Sequence, residues 1–161
     1  MIAFAEPANP PSNRAPVMWA VSALMAWIVP VAAQVVWVVV HPRPGSMHLT
    51  VAAVTVVLMV LHIGVVPVWR YRVHRWEISP QAVFTRTGWL VQERRIVPIS
   101  RVQTVDTYRG PLDRLFGLAN VTVTTASSAR AVHIVGLGED AADRLVEQLT
   151  DIAALGGEDA T

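Results

Sequence analysis

The residues of this chain that could do chemistry are few, and most are arginine. Arg70, Arg72 and Arg75 crowd six positions, and Arg94, Arg95 and Arg101 crowd eight more. Guanidinium forks at this density suit anions, either phosphate headgroups or carboxylates. The first trio is a candidate membrane or anionic-lipid surface, and the second a candidate partner surface. The competing reading of the cluster is topology: arginines that orient a membrane segment and snorkel to its surface. All 13 basic residues are Arg, and their distribution is uneven. Residues 70–114 hold nine Arg against four carboxylates, a net of +5, while residues 115–161 hold two Arg against seven, a net of −5. A basic half placed next to a membrane suits an anionic leaflet.

Other chemistry finds little support. Cysteine is absent, which excludes disulfides and thiolate metal sites. The five histidines, 41, 48, 62, 74 and 133, neither pair at i+3 or i+4 nor adjoin carboxylates at ligand spacing. Asp106 and Asp113 flank Gly110-Pro111, with Arg109 and Arg114 nearby. Two carboxylates can divide acid and base roles, but local ion pairs that fix the loop account for them better. Gly136-Leu137-Gly138 lacks the third glycine of a phosphate cradle. No catalytic, cofactor or metal residue is assigned, and the chain is read as a non-enzyme with no cofactor. A basic face without base-stacking aromatics speaks against nucleic acid.

The elements that position the arginines begin with two apolar runs. Residues 49–69 carry no charged group other than His62 and as a helix span about 31 Å, close to a hydrocarbon core of about 30 Å. Residues 17–40 form a second run, broken only by Pro30, which should kink it, and Gln34. Trp19, Trp37 and Trp69 stand near the ends, where an aromatic belt is expected. Pro42, Pro44 and Gly45 turn the chain between the runs, giving an antiparallel transmembrane hairpin over residues 17–70. Arg14, Arg70, Arg72 and Arg75 on one side outvote Arg43 on the other. Both termini are therefore expected in the cytoplasm, with the protein a multi-pass protein of the cell membrane. A cleaved signal peptide is the alternative for the first run, although the apolar character continues past Val31-Ala32-Ala33. His62, inside the second run, is expected to bond to the partner helix in its neutral form.

Residues 1–16, with four prolines, read as a flexible tail. After Arg70 the period changes from helical to alternating. Strands are expected over 71–79, 83–87, 89–97, 101–107, 120–126 and 130–135, with one helical turn at Leu112, Leu115 and Phe116. An amphipathic helix over about 139–155 follows, its stripe made by Ala142, Leu145, Val146, Leu149 and Ile152. Residues 156–161 form a flexible end.

The stretches Arg75-Trp76-Glu77-Ile78, Arg86-Thr87-Gly88-Trp89-Leu90 and Arg95-Ile96-Val97-Pro98-Ile99-Ser100-Arg101-Val102-Gln103, continued by Gly110-Pro111-Leu112, Leu115-Phe116-Gly117-Leu118 and Val121-Thr122-Val123, resemble the bacterial pleckstrin-homology-type domain of small YdbS-like membrane proteins. The resemblance covers about residues 12–155. It implies an α+β fold in which a two-helix transmembrane hairpin precedes a bent antiparallel barrel over 71–155, capped by the C-terminal helix. Lipid-binding members of the pleckstrin-homology fold crowd basic residues into the first hairpin loop; here that loop is Ser79-Pro80-Gln81, without charge. The expected function is a scaffold or interaction module at the inner face of the membrane, acting through a membrane-protein partner or as a homo-oligomer. The alternative is a sensor that binds anionic lipid headgroups through the Arg cluster.

Overall fold

The computed structural model describes residues 7–41, 45–88, 91–125 and 131–158, the last with side chains through Ile152. The first apolar run forms helix α1 (Ala15–Val40), with Pro16 in its first turn, where a missing N–H costs nothing. The helix passes through Pro30 without ending. The second run forms α2 (Ser46–Val60), a π turn (Leu61–Val65) and α3 (Val66–Val73). Together they make one apolar span of 28 residues. The π turn sits where Pro67 requires it. Its ring crowds the carbonyl four residues back and it has no N–H to give. The local ladder widens, and Val66 N–H reaches Leu61 O instead.

The two helices meet through a sparse polar ladder. Trp27 Nε1 donates to His62 Nδ1 at 3.1 Å, the interhelical bond expected of His62. Gln34 bonds Thr55, and Trp37 stacks on His48 with ring centroids 4.2 Å apart. Both helices are long and apolar enough to cross a membrane.

Tyr71–Val73, expected as the start of a strand, continue α3 instead. The helix keeps its own backbone bonds to the last turn, where His74 N–H donates to Arg70 O. Arg75 Nη1 then caps the Tyr71 and His74 carbonyls, each at 3.0 Å. The strands follow as β1 (Arg75–Ile78), β2 (Ala82–Thr87), β3 (Glu93–Pro98), β4 (Val102–Tyr108), β5 (Leu118–Thr125) and β6 (Val132–Gly138). The single helical turn is α4 (Pro111–Phe116), and α5 (Glu139–Glu158) takes in Gly156, Gly157 and Glu158, expected as part of a flexible end. Residues 89 and 90, expected in β3, and 126 and 130, expected in β5 and β6, lie outside the described residues.

The strands form two antiparallel sheets, β1-β2-β3 and β4-β5-β6. The expected barrel does not close. Pro98 lacks an N–H, and the 3-10 turn Ile99–Arg101 carries the chain from the first sheet to the second. Val83 and Val97 of one sheet face Val121, Val123 and Ile134 of the other. Ala142, Leu145 and Leu149 of α5 complete this core, each at most 1% exposed, so the helix caps the sandwich as its stripe predicts.

Residues 7–14 do not behave as a flexible tail. Asn9 exchanges two backbone bonds with Trp76 on the edge of the first sheet, at 3.0 and 2.9 Å. Ser12 N–H donates to Gly136 O on β6 of the second sheet, at 2.8 Å. This segment therefore stitches the open side of the sandwich together. It leads directly into α1, whose first turns dock on the domain. Ala15, Met18 and Trp19 pack with Leu118 in a second core, flanked by Tyr71, Leu112, Phe116 and Val135.

Candidate functional site

Three arginines stand in one cross-strand row. Arg75 pairs with Arg86 on β1 and β2, and Arg86 with Arg94 on β2 and β3. Side chains alternate along a strand, so the row shares the outer face of the first sheet with Glu77, Phe84 and Ile96. Like charges placed opposite one another destabilise a sheet. Here the C-terminal end of α3 offsets the cost for two of them. Arg75 bonds the carbonyls already named, and Arg86 Nε donates to Val73 O at 3.0 Å. Carbonyls at a helix C-terminus attract cations. Arg94 lies on the edge strand and is exposed, beside Ile96, which is 46% exposed.

Arg95, the next residue, points the other way. It shares the inner face with Trp76 and Thr85. Its Nε donates to Glu93 Oε1 at 2.7 Å, two residues along the same strand. Arg95 and Glu93 wall a cleft of about 330 Å³ in the seam between β2, β3 and β6, together with Arg70, His74, Thr85 and His133. Arg70 reaches the cleft from α3 with its guanidinium 4.3 Å from the Trp19 ring centroid, a cation–π contact. His74 is buried beneath it and bonds Arg70 O through Nδ1 at 2.8 Å. Burial, then the neighbouring Arg70 charge, push the His74 imidazole down to about 4, against the pull of its backbone bond. His133 Nδ1 bonds Thr122 Oγ1 on the β5 side.

The six arginines singled out in the sequence thus do not form one surface. Arg70 and Arg95 share the seam cleft, while Arg75 and Arg94 share the outer row. Arg72 is exposed on α3, and Arg101 is exposed in the turn beyond the opposite end of β3. Sequence reasoning missed Arg86 and His133. Only the strand register places Arg86 between two other arginines, and only the packing of β6 against β2 and β3 brings His133 to the cleft. The carboxylates also differ from expectation. Asp113 makes no ion pair with Arg109 or Arg114; its Oδ2 accepts from Gly110 N–H and Asn120 Nδ2, each at 2.9 Å, and closes the first turn of α4. Asp106 accepts from Thr104 Oγ1. Arg109 turns instead to Glu139 and Asp143 at the start of α5, at 3.3 and 3.1 Å. Among the described residues no group of three or more His, Asp or Glu is placed to hold a metal.

A family model described as Bacterial PH domain matches residues 16–153, which takes in both apolar helices, both sheets and most of α5. The chain belongs to this bacterial PH domain family. A relative of this bacterial PH protein is the UPF0699 transmembrane protein YdbS of Bacillus subtilis (strain 168), 39% identical over 92 residues. The alignment covers 57% of this chain, and the chain spans about half the length of that curated relative, 54%. No solved structure matches the chain. The family and the two apolar helices agree on a membrane protein carrying a PH-like domain.

Proposed function

We propose that this bacterial PH protein is a multi-pass interaction module without catalytic activity. Its domain is held at the inner face of the cell membrane and binds a protein partner or another copy of itself. One observation carries the reading: the Arg75, Arg86 and Arg94 row beside Phe84 and Ile96, on the outer face of a sheet whose last strand is an edge. A row of cations beside a second row of Phe84 and Ile96, with Glu77 at the far end of that second row engaged by Ala8 N–H, fits an acidic, partly apolar protein surface, and an edge strand can accept a further strand. The acidic residues 115–161 supply such a surface on a second copy. Docking of α1 on the domain supports a module that presents this face in a fixed orientation.

The test is a photo-crosslinking residue at position 96, read in intact membranes. Protein adducts are expected, and Arg94→Glu should remove them, while Arg95→Ala, on the opposite face of the sheet, should leave them in place. An adduct of twice the chain mass identifies a second copy. Absence of protein adducts, or adducts indifferent to Arg94→Glu, would overturn the reading. Orientation is checked separately. A reporter that is active only outside the membrane, fused after Thr161, should be silent, and a strong signal reverses the topology.

A further inference from the structure

Arg70 lines two cavities. The first is the seam cleft, whose permanent charges among the described residues are Arg70 and Arg95 against Glu93, a net of +1. The second holds about 170 Å³ between α1 and the π turn with α3. Its walls are Ser22, Ala23, Ala26, His62, Val66 and Pro67, together with Trp19 and Arg70, all within the two apolar spans. The small side chains at 22, 23 and 26 leave this groove open; a larger residue at any of them would fill it. Arg70 is half-buried, stacked on Trp19, and has no carboxylate partner among the described residues. A partly desolvated cation without a counter-ion is stabilised by an anion brought to it.

We infer that these two cavities, one on each side of Arg70, seat one anionic phospholipid, its phosphodiester between Arg70 and Arg95 in the seam and an acyl chain in the groove between α1 and α3. Arg95 is aimed by its pairing with Glu93, and Trp19 fixes the plane of the Arg70 guanidinium. A net charge of +1 matches a singly charged phosphodiester better than a multiply phosphorylated headgroup. The groove within the two apolar spans is what separates a lipid from free phosphate, which would use the seam cleft alone. The site is also apart from the first hairpin loop, Ser79-Pro80-Gln81, and from the outer arginine row, so it stands or falls independently of the proposed partner.

The full chain, purified in detergent with phosphatidylglycerol or phosphatidylcholine, is examined by native mass spectrometry for retained lipid. One phosphatidylglycerol per chain is expected, in preference to phosphatidylcholine. Arg70→Gln should weaken retention at least tenfold, and Ala26→Leu should weaken it by filling the groove. Arg72→Gln removes an exposed charge from the same helix and should change retention by no more than about fivefold, the share of one diffuse surface charge. Thermal unfolding of each variant checks the fold. If Arg70→Gln does not fold, Arg95→Gln and Ala26→Leu carry the comparison. Equal losses from Arg70→Gln and Arg72→Gln would show diffuse attraction and overturn the site. So would no preference for phosphatidylglycerol over phosphatidylcholine. If glycerol phosphate in solution displaces the lipid and Ala26→Leu has no effect, the seam binds a free phosphate ester and the lipid seat is refuted.

Discussion

Gly136 is the point where the anchor meets the domain, and replacing it tests how tightly the two are joined. The residue sits in β6 at φ +71, the left-handed region. A Cβ there would stand 2.9 Å from the Ala15 Cβ and 3.2 Å from Trp19 Cζ2. Carbon atoms prefer about 3.5–4.0 Å, so the methyl group needs more than half an ångström that neither neighbour can easily give. Ala15 is fully buried and its Cβ is fixed to the helix backbone. The left-handed backbone costs an alanine about 1–2 kcal/mol, and overpacking a filled site adds about 1–3 kcal/mol. Gly136→Ala should therefore cost about 2–5 kcal/mol, enough to lower the midpoint of thermal unfolding by more than about 8 °C in a domain of this size. A double-mutant cycle separates the two contributions. Ala15→Gly removes the nearer obstacle but leaves the backbone strain. The pair should be less destabilised than the sum of the single variants, by about 0.5–3 kcal/mol. Thermal unfolding of the full chain in detergent reads all four corners. A Gly136→Ala protein as stable as the parent, or a strictly additive cycle, would refute the docking of α1 against β6.

Two further expectations rest on other parts of the fold. Leu149 is 1% exposed in the main core; Leu149→Ala should cost about 2–5 kcal/mol of a total near 5–15, and Leu149→Asp should unfold the domain without preventing membrane insertion. A cooperatively folded Leu149→Asp domain would show that α5 does not cap the core. The second concerns His74, which is held neutral in the fold down to about pH 4, whereas the unfolded chain takes up its proton near 6.5. Its contribution is complete above pH 6.5 and is lost as pH falls from 6.5 toward 4, by at most about 3 kcal/mol. His74→Gln should flatten this part of the stability profile measured by denaturant titration, and an unchanged slope would assign it to other groups.

Much of the architecture is legible along the chain because it follows from local pattern. The two apolar runs, the alternation after Arg70 and the stripe on α5 each arise from residues close in sequence, and each forms. Local pattern misleads at two junctions. Tyr71–Val73 alternate like a strand yet extend α3, because a helix already under way keeps its backbone bonds and Arg75 caps the end. Residues 7–14 are rich in proline and polar groups, which argues for a tail, but their order comes from bonds to Trp76 and Gly136, which lie more than sixty residues away.

The arginine sites divide in the same way. The sequence by itself determined that the cations cluster beside the second apolar helix, and that Arg94 and Arg95, as neighbours on a strand, must face opposite ways. It could not decide what stands opposite them. The β1-β2-β3 register places Arg86 between Arg75 and Arg94, and the unclosed seam between the sheets brings Arg70 from a helix and Arg95 from a strand to one cleft. Period and composition depend on the next few residues, whereas a cross-strand row or a seam depends on how separate elements are brought together. Only the tertiary structure holds that information.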